Sequence, residues 1–407
     1  MDSICSLQSY PNVFNFKKMT ILLLKNSYLP SKTAITQKKN ATLPFSEFNT
    51  IKAMTETLDI KITKTKHSRL HETDFSNLQF GKTFSDHMFV ADYADGEWKD
   101  FQIVPYGEIS LSPAISALHY GQSFFEGIKA YKHADGQVSV FRPDKNAKRF
   151  NKSAERLCMP ELPEEVFIQS IAAVVDIDRD WIPSKPHHSM YIRPFMFATD
   201  PFLGVTPSAT YKYMVLVGPV GPYFSKVLRV KVETHFTRAA EGGMGYAKSS
   251  GNYGGSMLPA RRATEEGFDQ LIWTDAKDHQ YIEEMGAANV MFVLDGTLIT
   301  PSTRDTILDG VTRDTVLTLA RGWGMPVEER RVSVAEIIEG AKTGKLTDAF
   351  GAGTAATIAP VGSISLNGEE YFLKDPKERE FSQKVLKTLD GIRYGNLPDE
   401  HGWNYLV

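Results

Sequence analysis

Apolar residues recur along the chain with the spacings of both helices and strands. Between residues 164 and 179, the positions Val166, Ile168, Ile171, Val174 and Val175 return roughly once per helical turn, which predicts an amphipathic helix. Similar segments predict helices over residues 144–157, 256–266, 312–321, 334–343 and 376–392. Runs rich in β-branched and aromatic residues predict strands over residues 101–104, 138–141, 190–198, 211–217, 228–233, 270–274 and 290–293.

A run of glycine and proline divides this pattern into two halves. The sequence Gly218-Pro219-Val220-Gly221-Pro222 contains two Gly-Pro steps, which interrupt regular structure. We therefore predict a small N-terminal α/β domain over residues 54–217, a linker over 218–227 and a large C-terminal domain over 228–407. Because both halves mix strands and helices, the expected fold class is α/β or α+β, with the active site at the interface of the two domains.

The composition is that of an ordinary globular enzyme. The chain has 407 residues, of which 42% are hydrophobic and 23% are charged, and its net charge is -3. This charge gives no global basic field, and the apolar runs are too short to span a bilayer, so we expect no nucleic-acid or membrane partner. Cys5 and Cys158 make no disulfide framework, which favours the cytoplasm. His187 and His188 lack further ligands at a suitable spacing, so no metal site is predicted.

Residues 1–53 differ in composition from the rest of the chain. They are rich in Lys, Ser, Thr and Asn, and they contain no Arg. Because transit peptides usually contain Arg, we favour a disordered extension, or an upstream start with Met54 as the true first residue. Organelle targeting by this segment is the alternative.

One lysine stands in a segment of unusually small residues. Residues 242–255 read Gly-Gly-Met-Gly-Tyr-Ala-Lys-Ser-Ser-Gly-Asn-Tyr-Gly-Gly, with the lysine at position 248. Small side chains let the backbone approach a flat ligand, and they offer little to hydrate an ammonium group. A poorly hydrated lysine is a nucleophile that can form an imine with an aldehyde. Taken alone, the segment also fits a flexible surface loop with an incidental lysine.

Two further features suit imine chemistry with pyridoxal phosphate, which needs an acid opposite the pyridine nitrogen and an anion cradle. Glu283 and Glu284 lie just ahead of an apolar strand, and either could supply the acid. The stretch from Asp309 to Thr312 opens a predicted helix with Thr312 as its capping residue. Because the N-terminus of a helix presents free N–H groups, it can bind a phosphate.

A second glycine-rich turn covers residues 351–356 and is the other candidate for the cradle. This turn also matches the dinucleotide fingerprint G-x-G-x-x-A. The fingerprint normally opens a βαβ unit, whereas this turn lies near the end of the chain, and Pro360 interrupts the helix that would have to follow. A nicotinamide-dependent dehydrogenase is therefore not favoured.

Together these segments resemble the fold-type IV pyridoxal-phosphate enzymes, and among them the branched-chain amino acid aminotransferases. The similarity extends from about Phe80 to Tyr405, and the order of the matching stretches makes it specific. These stretches are residues 80–88 (FGKTFSDHM), 117–121 (ALHYG), 125–129 (FEGIK), 191–194 (YIRP), 218–224 (GPVGPYF), 248–253 (KSSGNY) and 353–355 (GTA).

The resemblance implies a site for pyridoxal 5'-phosphate. Lys248 would be the catalytic residue, which binds the cofactor as a Schiff base and carries the proton between substrate and cofactor. Tyr253 would contact the phenolic oxygen, and Glu284, rather than Glu283, would face the pyridine nitrogen. Arg149 would pair with the phosphate, because its planar fork suits that group. The remaining cradle residues would be Val311, Thr312 and Thr354.

The resemblance also implies a substrate site beside the interface of a homodimer. The expected pocket walls are Phe80, Phe125, Tyr191 and, from the partner subunit, Val205. Tyr120 and the backbone around Thr354 and Ala355 would hold the α-carboxylate. Arg193 at the pocket edge would bind the second carboxylate of glutamate while its stem leaves room for an aliphatic side chain. The implied reaction is a ping-pong exchange between L-leucine, L-isoleucine or L-valine and 2-oxoglutarate.

Three positions depart from the family pattern. Ala356 and Ala359 stand where some animal relatives have a redox-active cysteine pair, which excludes a thiol switch there. Ala287 stands where many relatives have threonine, so one side-chain contact to phosphate or substrate is in doubt.

Other enzymes of the same fold type remain alternatives. A D-amino acid aminotransferase or an aminodeoxychorismate lyase would share the lysine and the cradle, but the Tyr-Ile-Arg-Pro segment favours the branched-chain class. A non-catalytic carrier of the cofactor would keep Lys248 but lose Tyr120 or Arg193, and both are present.

Overall fold

The described residues form two sheets, and the first combines the N-terminal half of the chain with its last residues. The computed structural model describes residues 57–223 and 226–407, so the extension predicted over residues 1–53 lies outside the described residues. The strands of this sheet are β1 (Lys61–Ile62), β2 (His87–Ala94), β3 (Glu97–Pro105), β4 (Ser123–Phe125), β5 (Ile128–Lys132), β6 (Val138–Phe141), β7 (Ser189–Ala198), β8 (Tyr211–Val220) and β19 (Asn404–Leu406). Their order is β1-β3-β2-β8-β7-β5-β6-β19, with β4 paired to β7.

Two long helices pack against this sheet, after the short helix α1 (Ser116–Tyr120). Helices α2 (Pro143–Arg156) and α3 (Glu164–Ile177) match the predicted segments within two residues. Phe150 of α2 and Phe167 of α3 contact the buried ring of Tyr213, at centroid distances of 5.5 and 6.3 Å. Phe167 takes the fully buried position in the first turn of α3, whereas Val166 and Ile168 are only half-buried.

The second sheet belongs to the C-terminal half of the chain. Its strands are β9 (Leu228–Val232), β10 (Gln270–Thr274), β11 (Tyr281–Met285), β12 (Ala288–Leu294), β13 (Thr297–Pro301), β14 (Val327–Arg330), β15 (Val332–Ser333), β16 (Leu346–Gly353), β17 (Thr357–Leu366) and β18 (Glu369–Phe372). In the described part of the chain their order is β14-β13-β12-β16-β17-β9-β10-β11-β15, with β18 on β17. Because β11 also pairs with β12, the strands from β12 to β11 close into a ring.

Among the residues that the structure describes, five helices accompany the second sheet. They are α4 (Ser250–Gly254), α5 (Met257–Glu265), α6 (Val311–Gly322), α7 (Val334–Thr343) and α8 (Glu380–Arg393). Helix α8 begins four residues later than predicted, because residues Pro376–Glu378 form a separate 3-10 turn. No helix within residues 57–223 and 226–407 has the length and apolar character needed to cross a membrane.

The prediction that the glycine-proline run at residues 218–222 interrupts regular structure is wrong for its first three residues. Strand β8 continues to Val220, and Gly218, Pro219 and Val220 lie opposite residues 189–191 of β7. On the other side, pairing of β8 with β2 ends at Leu216. Proline is tolerated there because its missing N–H is not needed where the strand has a neighbour on one side only.

Candidate active site

Lys248 lies in the small-residue segment immediately before α4, and its side chain is half-buried. Its Nζ donates to the hydroxyl of Tyr253 at 3.0 Å. Its backbone N–H donates to Ser153 Oγ at 3.0 Å, and its carbonyl accepts from the N–H of Phe125 at 3.2 Å. A side chain at Gly245 would meet the carbonyl of residue 305 at 2.8 Å, so the loop can approach that backbone only with glycine. The local sequence therefore fixes the lysine against α2 and β4.

Glu284, at the end of β11, is the acid that faces the lysine. It is almost fully buried, and its Oε1 accepts from the N–H of Leu308 at 2.7 Å. Burial raises the pKa of Glu284, while Arg238, whose Nε lies 3.4 Å from Oε2, opposes this change. Adjacent strand residues point to opposite faces, and Glu283 lines a different cavity. The structure therefore places Glu284, and not Glu283, beside Lys248.

Arg149 projects from α2 towards the start of α6. Its Nε and Nη2 donate to the carboxylate of Glu126, both at 2.7 Å, and its Nη1 donates to the carbonyl of Asp309 at 2.9 Å. Both side chains of the pair are buried. Arg149 is therefore held in one orientation next to the predicted anion site.

The two predicted cradle segments meet at this point. Helix α6 begins at Val311, and its N-cap residue is Gly310. The prediction that Thr312 caps the helix is therefore wrong, because Thr312 is already the second helical residue. Thr354 lies in the turn between β16 and β17, and it lines the same cavity as Val311 and Thr312. Free N–H groups of the first helical turn and nearby hydroxyls suit a phosphate.

An aromatic wall forms the other end of the cavity. The rings of Phe80 and Tyr191 meet edge to face at a centroid distance of 4.7 Å. The guanidinium of Arg193 lies 4.4 Å from the centroid of Phe125, and its Nη2 donates to the Tyr191 hydroxyl at 2.9 Å. The side chain of Arg193 is thus oriented by aromatic groups, with its positive charge at the cavity lining.

These groups enclose one cavity of about 560 Å³, a size typical of small-molecule sites. Of the site residues predicted from the sequence, all line it within the described part of the chain except Tyr120 and Val205. Tyr120 ends α1 with 47% of its surface exposed, and Val205 lies in a loop with 85% exposed. The structure of one chain therefore does not bring these two residues to the lysine. Ala287 does line the cavity, as a small apolar side chain.

Several polar residues around the cavity have no role predicted from the sequence. Lys129 Nζ donates to the carbonyl of Ala355 at 2.8 Å, beneath the predicted carboxylate-binding turn. Burial, followed by the positive charge of Arg393, lowers the pKa of Lys129 to about 7. Asn289 donates to the carbonyl of Leu308 at 2.8 Å and steadies the segment that holds Glu284. The local signal for Lys129 and Asn289 was a single polar side chain in an otherwise apolar stretch.

Comparison with known proteins gives the family. The family model for class IV amino-transferases matches residues 123–364. The chain is 43% identical over 352 residues to branched-chain-amino-acid aminotransferase 2 of Bacillus subtilis, which covers 86% of this chain and 96% of that protein. It is also 43% identical to branched-chain-amino-acid aminotransferase of Mycolicibacterium smegmatis, over 82% of this chain and 93% of that one.

Solved structures agree with this assignment. Branched-chain amino acid aminotransferase of Escherichia coli superposes with a TM-score of 0.64 at 27% identity, over 78% of this chain and 98% of that chain. The branched-chain aminotransferase of the thermophilic archaeon Thermoproteus uzoniensis, solved with norvaline, gives a TM-score of 0.66 at 26% identity, over 79% of this chain and 99% of that chain. The resemblance and the fold-type IV architecture predicted from the sequence are thereby confirmed, and the chain belongs to the class IV aminotransferases.

Proposed function

We propose that this aminotransferase exchanges amino groups between L-leucine, L-isoleucine or L-valine and 2-oxoglutarate, giving branched-chain 2-oxo acids and L-glutamate, with pyridoxal 5'-phosphate as cofactor. The observation that carries the proposal is one cavity in which Lys248 stands between an anion cradle and an aromatic wall that contains Arg193. The curated relatives that carry the branched-chain name at 42–45% identity support this substrate class.

The side chains present fit the cofactor at each of its polar ends. Glu284 is a buried acid with a raised pKa, and such a carboxylate is stabilised by a protonated ring nitrogen placed against it. Arg149, the first turn of α6 and Thr354 provide cationic and neutral donors for a phosphate. Tyr253, whose hydroxyl lies 3.0 Å from Lys248 Nζ, suits a phenolic oxygen beside the reactive carbon.

When bound, pyridoxal phosphate supplies the aldehyde that exchanges the amino group and a ring that delocalises the electrons of the broken Cα–H bond. Lys248 Nζ would take the proton from the substrate Cα as a general base and would then act as a general acid, giving that proton to the carbon of the cofactor that receives the amino group. The hydroxyl of Tyr253 orients that amine through the hydrogen bond already present. The carboxylate of Glu284 would stabilise a proton on the ring nitrogen of the cofactor. The positive charge there would draw electron density away from the substrate Cα.

The aromatic wall accounts for dual substrate use. Phe80, Phe125 and Tyr191 give an aliphatic side chain an apolar surface. Arg193 provides a carboxylate partner for glutamate at the same surface. On the α-carboxylate side, the N–H groups of Thr354 and Ala355 lie in the turn that Lys129 holds from beneath.

A homodimer forms part of the proposal. Tyr120 and Val205 are exposed together with three other apolar residues of the same two segments, Leu118, Phe202 and Leu203. In a second copy, this surface would supply Val205 and Tyr120 to the neighbouring cavity.

We also propose a cytoplasmic enzyme without nucleic-acid or membrane partners, which the net charge of -3 and the unpaired thiol of Cys158 support. The division into two domains stays part of the proposal, with residues 218–220 of the predicted linker 218–227 belonging to β8.

The substrate class is tested with the purified enzyme and 2-oxoglutarate. L-leucine, D-alanine and aminodeoxychorismate are offered separately, and L-glutamate or the lyase product is measured. We expect turnover with L-leucine. Turnover with D-alanine alone, or cleavage of aminodeoxychorismate alone, would refute the proposed class.

The role of Lys248 is tested by Lys248→Ala. We expect turnover to fall by roughly 10²- to 10⁴-fold or more, because the general base is lost. Borohydride reduction should no longer attach the cofactor covalently, which mass spectrometry of the intact chain detects. Lys152→Ala, which removes an exposed lysine of α2, is the matched control and should keep both properties. Cofactor that stays attached in Lys248→Ala would show that another residue carries it.

A further inference from the structure

Glu126 is a fully buried carboxylate with four hydrogen-bond donors around it. Arg149 Nε donates to Oε1 and Arg149 Nη2 to Oε2, both at 2.7 Å. Asn146 Nδ2 donates to Oε2 at 2.7 Å, and the N–H of Gly127 approaches the same oxygen at 3.2 Å. The two carboxylate oxygens thus match the two parallel N–H groups of the guanidinium, which is the geometry of a bidentate pair.

Both members of this pair stay ionised. Burial alone would raise the pKa of Glu126, but the charge and hydrogen bonds of Arg149 hold it below its ordinary value. Burial opposes the charge of Arg149 as well, and Glu126 more than compensates by raising the pKa of the guanidinium. Removing one partner would leave the other as an uncompensated buried charge.

The fork decides which way the rest of Arg149 points. Because Nε and Nη2 are occupied by Glu126, the guanidinium plane cannot rotate, and Nη1 reaches the carbonyl of Asp309 just ahead of α6. The strand that leads into Glu126 also contacts the lysine loop, through the Phe125 N–H to Lys248 carbonyl bond at 3.2 Å. One short segment therefore sets the positions of both the lysine and the arginine.

We propose that Glu126 is the positioning residue of the phosphate cradle: it orients Arg149 towards the first turn of α6, and so makes the site select the phosphorylated cofactor over unphosphorylated pyridoxal. This inference rests on the proposed function. If Glu126 only balanced the charge of Arg149, the length of its side chain would not matter. If it positions Arg149, its side chain must be long enough to place both carboxylate oxygens against the Nε and Nη2 groups of the arginine.

The test measures cofactor binding and not turnover. Apoenzyme is titrated with pyridoxal phosphate and with pyridoxal, and the ratio of the two dissociation constants is the readout. We expect Glu126→Gln to reduce this preference for the phosphate roughly 10- to 100-fold, as for loss of a charge-assisted hydrogen bond. Glu126→Asp keeps the negative charge but shortens the side chain by one methylene group, and it should reduce the preference for the phosphate by a similar factor. Glu283→Gln, a buried acid outside the cradle, is the matched control and should leave the ratio unchanged.

A double variant keeps the test decisive if Glu126→Gln does not fold. Arg149→Met with Glu126→Gln contains no unpaired buried charge at this pair, and its ratio should be no higher than that of Glu126→Asp, because Glu126 acts only through Arg149. Equal weakening of both ligands in Glu126→Gln, or an unchanged ratio in Glu126→Asp, would overturn the inference. A wild-type enzyme that binds both ligands equally would instead contradict the cradle of the proposed function.

Discussion

Arg193 offers a direct test of how one pocket accepts two kinds of side chain. Arg193→Met keeps most of the aliphatic length of the side chain and removes its charge. In the structure the guanidinium lies 4.4 Å from the centroid of Phe125 and 5.2 Å from that of Tyr191, and it donates to the Tyr191 hydroxyl at 2.9 Å. The substitution therefore removes the group that would pair with a substrate carboxylate, and it removes the cation–π contacts to Phe125 and Tyr191. The aromatic residues of the wall stay in place.

The expected losses differ between substrates. A charge-assisted hydrogen bond contributes about 1.5–3 kcal/mol, so kcat/KM for glutamate and 2-oxoglutarate should fall roughly 10- to 150-fold. Arg193 is half-buried, and solvent screening favours the lower part of that range. L-leucine brings no second carboxylate. The kcat/KM for L-leucine should therefore fall by no more than about 5-fold. This corresponds to the cation–π contribution of about 0.5–1 kcal/mol with which Arg193 orders the aromatic wall.

Single-turnover measurements of each half-reaction separate these effects, because each amino acid is then followed without its co-substrate. The matched control is Arg262→Met. It removes an exposed arginine of α5, which lies over the ring of Phe236 and away from the cavity. Equal losses for L-glutamate and L-leucine in Arg193→Met would refute the assigned role. A loss in the control would point to a general effect of removing arginine from aromatic surfaces.

Two further substitutions test the surroundings of the cavity. Burial and Arg393 lower the pKa of Lys129 from 10.5 to about 7, so between these values the unfolded chain binds more protons and stability rises with pH. Urea unfolding of Lys129→Met between pH 7 and 9 should lack this component, up to about 1.4 kcal/mol per pH unit, and a slope equal to that of the wild type would contradict it. A Cβ at Gly127 would lie 2.4 Å from the Tyr191 hydroxyl, so Gly127→Ala should displace Tyr191 and weaken 2-oxoglutarate use more than L-leucine use. Unchanged steady-state kinetics with 2-oxoglutarate would count against that reasoning.

Local sequence was sufficient wherever a residue's role depends on its immediate neighbours. The periodic apolar positions of α3 predicted a helix within two residues of its observed ends, because helical periodicity is a property of the chain itself. The small residues around Lys248 made it a candidate for a reactive amine for the same reason, since they determine how closely backbone can approach it, but alone they also fitted a flexible surface loop. The order of the matching stretches then gave the family.

The tertiary structure decided the features that depend on contacts between distant residues. Strand β8 extends through Pro219 because β2 no longer pairs there, and the chain before the proline carries no sign of this. Lys129 and Ala355 are 226 positions apart, so only the folded chain shows that one supports the other. The pairing of Glu126 with Arg149 likewise depends on how β4 and α2 pack, because the geometry of a buried ion pair is set by the elements that carry it and not by the residues beside it in the sequence.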